Sequence, residues 1–314
     1  MKTNNTLQFV DFPWQLIHPC QHKLFASLKS AVPILSTFED STNQLWSLAF
    51  KDGRQAVLKV CLLNGVDDSS FWAGMSTLFS FDYPKNIGLY APVYEQLNRL
   101  SEFAIPELFA CESATVEYAG FLYCSMLPGQ MLDAPTTDLM VEQLARHLAG
   151  LHADSSSTFG SLFNPQSSAE DWWPKVIETV AALAEAQGVE LDGLHIDKHY
   201  QNQRTPQGGI NACLDHFVPI MLDLRWDQFL TDSREITGLV DLDAFVYGDR
   251  ALEFVILEYL LTEQQAERFK AEYVRYQAIP KLTQCRPIYR QLLFLMNVLG
   301  EKSLDTWMQA PQRF

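Results

Sequence analysis

Two rhythms of apolar residues run along this sequence. In the first third they come in short runs set off by turn residues, and from Thr137 onward they recur at helical spacing. LWSLAF (Leu45 to Phe50) and QAVLKVCLL flank KDGR, whose Asp52-Gly53 pair is a strong turn signal, so this stretch predicts an antiparallel hairpin. Asn64 to Lys85 mixes Gly, Asp, Ser and aromatics and shows no assignable period. Val93, Leu97 and Leu100 share one face of a helix over Ala91 to Phe103, which Pro106 closes. ELFACES and EYAGFLYCSML read as further strands, and Pro128-Gly129 punctuates their end.

Beyond that point helices dominate. In VEQLARHLAGLHA, Val141, Leu144, Ala145, Leu148, Leu151 and His152 form one apolar stripe, with Asp138 near the positive end of the helix dipole. DWWPKVIETVAALAEAQG is a second helix, ended by Gly188. VPIMLDLRWDQFL and ITGLVDLDAFV are short apolar segments with acidic residues set into them. ALEFVILEYLL is apolar on nearly every side and predicts a buried helix; the remainder, from Glu263, is helical with breaks at Pro280 and Pro287. Strands first and helices afterwards make an α+β arrangement rather than alternating βαβ units.

Composition narrows the picture. With 47% apolar and 19% charged residues among 314, the chain can bury a sizeable core. A net charge of −15 disfavours nucleic acid and anionic lipid and favours cationic ligands. No two of the six cysteines sit at CxxC spacing, so no zinc site is expected, and a reducing compartment suits them. Asp11 interrupts the opening MKTNNTLQFVDFPWQ, so no signal peptide is expected; with no long uncharged apolar run either, the expected location is the cytoplasm. The sequence sets no oligomeric state.

A few polar residues stand in apolar surroundings. Lys59, in AVLKV, either snorkels from a strand edge or grips phosphate oxygens. Asp223 and Asp241 each end a buried strand-like run, joined by a hairpin-like connection through Thr231 to Thr237. They either cap turns or converge as oxygen ligands for a hard cation such as Mg²⁺. Gln228 is either a turn glutamine or an amide ligand, and Glu95 either a solvated helix residue or an ion-pair partner for Lys59. His152 is expected to pack at the end of its helix. GxSxG, HExxH and GxGxxG are absent, which removes support for hydrolase, metalloprotease and Rossmann readings.

In their chain order these pieces resemble the aminoglycoside phosphotransferase, choline kinase and fructosamine kinase group. The resemblance runs from about Ser36 to Leu260. AVLKV resembles the VLK strand, LARHLAGLHA followed by FGSLF the LAxLH helix and its FG turn, MLDLRWDQFL the HGDxxxxN loop, and GLVDLDAFVYGDRALEF the IDxxxxxxGDxxxD segment, with Gly248 and Asp249 at the expected spacing. It implies a bilobal protein-kinase-like fold. The N-terminal lobe over 1–127 would be an antiparallel sheet plus a helix, and the C-terminal lobe over 128–314 mainly helical. It also implies ATP and Mg²⁺, with Lys59 on the phosphates and Glu95 orienting it. Backbone near Ser125 and Met126 would meet adenine, Asp223 would be the catalytic residue, and Gln228 and Asp241 would be metal ligands.

The acceptor implied is a small molecule phosphorylated on a hydroxyl or amine. Three departures stand out: Met221-Leu222 replaces HG, Gln228 replaces the asparagine, and LSTFEDSTNQLW lacks glycine in the phosphate-covering loop. Glu39 and Asp40 in that loop are expected to weaken ATP binding. A kinase-like protein without transfer activity is therefore the alternative, and an unrelated Mg²⁺-dependent hydrolase built on Asp223, Asp241 and Asp243 a third reading.

Overall fold

The computed structural model describes residues 12–35, 41–189, 214 and 216–314. Glu39 and Asp40 lie outside the described residues. The chain folds into two compact units: Met1–Gly65, Tyr83–Ala91 and Pro106–Leu127 make the first, and Val66–Asp82, Pro92–Ile105 and Pro128–Phe314 the second.

The first unit is built on a five-stranded antiparallel sheet of β1 (Leu28–Ile34), β2 (Asn43–Phe50), β3 (Gln55–Cys61), β4 (Leu108–Glu112) and β5 (Phe121–Ser125), ordered β1-β2-β3-β5-β4. The Asp52-Gly53 turn joins β2 to β3 as the sequence predicts, pairing Trp46 with Leu58 and Leu48 with Ala56. Side chains alternate across a strand. Ala56, Leu58 and Val60 therefore enter one core with Trp46, Leu48, Phe50, Phe121 and Tyr123. Phe12 and Phe25 close this core, each ring 5.3 Å from an aromatic neighbour. The predicted strand EYAGFLYCSML is ordered as a strand only over Phe121–Ser125.

The second unit is mostly helical. The unassigned stretch holds the helix Ser70–Phe79, which packs against Trp172–Gln187. The predicted helix after it runs Ala91–Leu100 and buries Val93, Tyr94 and Leu97. Asp138–Leu151 starts at Thr137, whose hydroxyl accepts the Met140 N–H, and packs against Glu263–Tyr273. Arg250–Leu260 and Arg286–Leu295 pack on each other, so the apolar run ALEFVILEYLL is buried as expected. Pro287 falls in the first turn of Arg286–Leu295, where its missing N–H costs nothing, so it opens a helix instead of breaking one.

Two small sheets carry the loops between these helices. β6 (Gln130–Met131), β10 (Phe229–Thr231) and β11 (Ile236–Leu239) form one, ordered β11-β10-β6. β7 (Thr158–Ser161), β8 (Ser167–Ser168), β9 (Val218–Met221) and β12 (Phe245–Gly248) form the other, ordered β8-β7-β12-β9.

Candidate active site

Two loops meet because β9 and β12 run antiparallel, with Met221 opposite Phe245. The chain leaves β9 at the point where it enters β12. Asp223 thus follows one strand and Asp241 precedes the other, and the Leu222 N–H donates to the Ala244 carbonyl at 3.1 Å. The 3₁₀ turn Trp226–Gln228 then feeds the β10–β11 hairpin. Its turn is tightened by Asp232, whose carboxylate accepts the N–H groups of Arg234 and Glu235.

Two of the sequence-predicted residues touch here, and the third follows a residue bonded to one of them. The Gln228 side-chain amide donates to the Asp223 carboxylate at 3.2 Å. The Val240 N–H donates to the Gln228 carbonyl at 2.8 Å, setting Gln228 beside the residue that precedes Asp241. Asp241 holds φ 59° and ψ 64°, a left-handed conformation that costs a non-glycine residue energy and that aspartate tolerates better than most. Strain kept at one aspartate between two fixed strands is an arrangement found at functional sites.

Arg225 adds a cation that the sequence reading left out. It lies 3.4 Å from the Asp223 carboxylate and 3.1 Å from that of Asp227. Its signal was its position, two residues past Asp223 in a short loop.

The loop is braced from behind. Glu253, fully buried in Arg250–Leu260, accepts the Met221 N–H at 2.8 Å. Its other oxygen meets His152 Nε2 at 2.8 Å, and His152 Nδ1 meets the Tyr273 hydroxyl at 2.8 Å. His152 therefore packs at its helix end as expected, and it also joins the network that supports the loop. Met221 and Leu222, which replace the HG pair, are both buried. The backbone bond from Glu253 fixes this stretch through a main-chain group, which no Met221 or Leu222 side chain is needed to supply. The signal for Glu253 was an acidic residue in an apolar run, one of two with Glu258.

Asp249 begins the same helix. Its carboxylate accepts the Ala251 N–H at 2.9 Å and the Tyr289 hydroxyl at 2.6 Å, and burial pushes its carboxyl above the usual range.

In the first unit, Lys59 is buried in β3 between Leu45 and Leu122, on the face opposite the aromatic core. Ser125 ends β5 and Met126 follows it. Their N–H groups donate to the Glu107 and Gln55 carbonyls at 2.8 and 3.3 Å. In the second unit, Glu95 stands exposed on its helix.

The antiparallel sheet and the helical unit with its paired loops make this a kinase-like fold. Over residues 47–290 the sequence matches the APH phosphotransferase enzyme family, and the chain belongs to that family. It is a phosphotransferase enzyme. The readings as an inactive kinase-like protein or an unrelated hydrolase draw no support from this match. No curated protein matches the chain.

Solved structures share the fold. A thermostable mutant of the aminoglycoside phosphotransferase APH(4)-Ia, in a ternary complex with AMP-PNP and hygromycin B, is 19% identical with a TM-score of 0.54, covering 88% of this chain and 87% of that one. The macrolide 2'-phosphotransferase MphH from Brachybacterium faecium is 14% identical with a TM-score of 0.51, covering 90% and 93%. A candidate fructosamine-3-kinase from Haemophilus somnus is 13% identical with a TM-score of 0.54, covering 90% and 89%. Among the described residues no helix is long and apolar enough to cross a membrane.

Proposed function

We propose that this enzyme transfers the terminal phosphoryl group of ATP, with Mg²⁺, to a hydroxyl or amine of a small molecule. The observation that carries the reading is the Gln228–Asp223 hydrogen bond together with the backbone bond from Val240, next to Asp241, to Gln228. Structures of the same fold hold AMP-PNP or ADP, which supports a nucleotide as donor. In this reading Lys59 would grip the phosphates, Glu95 would orient Lys59, and backbone groups near Ser125 and Met126 would meet the adenine. The acceptor's proton passes to Asp223 as its oxygen or nitrogen bonds to the γ-phosphorus. The bond from that phosphorus to the β–γ bridging oxygen breaks, and ADP leaves.

The Asp241 carboxylate and the Gln228 amide oxygen are hard donors that fit Mg²⁺. The described residues contain no group of three or more His, Cys, Asp or Glu placed for a metal. A pair of protein oxygen donors suits an ion that keeps several waters of its own. When bound, Mg²⁺ supplies charge neutralisation at the phosphate oxygens. The net charge of −15 favours an acceptor that carries positive charge.

The test is transfer from γ-labelled ATP to a panel of aminoglycoside, macrolide, choline and ketoamine acceptors. Asp223→Asn should cut transfer by about 10²–10⁴-fold, the usual worth of a positioned acid–base group. Transfer at the wild-type rate in this variant would remove Asp223 from the chemistry.

A further inference from the structure

A closed ring of hydrogen bonds ties the helix of Glu95 to the strand that follows Asp241. Gln96, the next residue on Ala91–Leu100, donates to the Asp154 carboxylate at 2.8 Å and to the Tyr247 hydroxyl at 2.6 Å. Tyr247, on β12, donates its own proton to the same Asp154 oxygen at 2.7 Å. Each of the two amide hydrogens has one acceptor, and the hydroxyl both gives and receives, so the ring is satisfied with consistent donors. All three side chains are partly buried, where such bonds are stronger than in water.

A second tie lies past the end of the same helix. The Ala104 N–H donates to the Thr237 carbonyl at 3.2 Å, and the Ala104 carbonyl accepts the Leu239 N–H at 3.0 Å. These bonds fix the chain to β11, the strand that leads into Asp241. The helix is thus held to β11 before Asp241 and to β12 after it. Glu95 is exposed and shows no such tie of its own. Its place is set by the helix, and the helix is set by strands that also place the aspartate.

We propose that Gln96, Asp154 and Tyr247 are positioning residues that lock the Glu95 helix to the strands flanking Asp241, so that Glu95 and the Asp241 loop are placed by one frame. This rests on the nucleotide reading given above. Nothing in it requires contact between the ring and a ligand. The ring acts on nucleotide affinity only through Glu95.

That restriction makes it testable without knowing the acceptor. The dissociation constant of AMP-PNP with Mg²⁺ would be measured by calorimetry on the full chain for wild type, Tyr247→Phe, Gln96→Ala, Glu95→Ala and the double variant of Tyr247→Phe with Glu95→Ala. Tyr247→Phe removes one hydroxyl and keeps the ring, and folding is checked for each variant by its circular dichroism. Tyr247→Phe and Gln96→Ala should each weaken binding by about three- to tenfold, the worth of about one hydrogen bond. The double variant should bind no more weakly than Glu95→Ala alone, because groups acting through one residue are not additive. Asp154→Asn, which keeps an acceptor oxygen, should bind more tightly than Asp154→Ala.

Unchanged affinity in Tyr247→Phe and Gln96→Ala overturns the proposal and leaves the nucleotide reading standing. So does a double variant whose loss is the product of the two single losses. A wild type that binds no nucleotide removes both.

Discussion

His147 lies on Asp138–Leu151 with its ring 4.6 Å from that of Phe103 and almost no exposure. Burial, helped by the neighbouring His152, pushes its pKa from 6.5 down to about 3. The folded state therefore holds neutral imidazole, while the unfolded chain takes up a proton below pH 6.5. Stability from this group is complete above pH 6.5 and is lost as pH falls toward about 3. At pH 5 the loss amounts to about 2 kcal/mol. Urea unfolding at pH 7 and pH 5 should show His147→Leu losing about 2 kcal/mol less than wild type between the two. Equal losses would mean that the ring takes up its proton in the folded protein at ordinary pH.

Legibility at this scale depended on contrast. Lys59, Asp223 and Asp241 stood out because each is a charge within or at the end of an apolar run. Arg225 was missed because the acidic residues on either side drew the reading, and its pairing with two of them appears only once the loop is folded. Glu253 had the contrast, but its partners Met221 and His152 come from 32 and 101 residues away in sequence, and no local pattern announces them.

Elements with local causes were readable. The β2–β3 hairpin follows from one Asp-Gly turn between two apolar runs, and the helix Asp138–Leu151 from an unbroken apolar stripe. β1 gave no signal because it is an edge strand whose residues after Leu28 are mostly exposed, with Pro33 near its end. Ser70–Phe79 escaped because Gly74 weakens its helical pattern. A Cβ at that position would lie 2.6 Å from Met296 Cγ, so close packing requires the glycine.

The same argument applies to Gly248 at the end of β12, where a Cβ would meet Ile220 Cδ1 at 2.6 Å. Gly248→Ala should cost about 1–3 kcal/mol by overpacking. Ile220→Val removes the opposing carbon, so adding it to Gly248→Ala should recover part of that loss in chemical denaturation. Additive losses in the double variant would place the strain elsewhere.

For the whole molecule, the order of dispersed short motifs was more informative than any single one. Each is weak, yet together they span most of the 47–290 stretch that matches the phosphotransferase family. Acceptor chemistry was not legible, because it depends on side chains gathered from many segments with no common spacing. The acidity gives only a sign, −15, that favours positive charge.

The central proposal is that this enzyme binds a Mg²⁺–nucleotide complex and that Lys59 and Asp241 are each needed to bind it. Thermal unfolding with and without ATP and Mg²⁺, on wild type and on Lys59→Ala and Asp241→Ala, tests it most directly. A ligand confined to the folded state stabilises it by about 2.7 kcal/mol at a hundredfold excess over its dissociation constant. The account predicts a stabilisation that requires Mg²⁺ and that both variants lose. No stabilisation of the wild type at millimolar ATP, or a shift that survives in both variants, would contradict it.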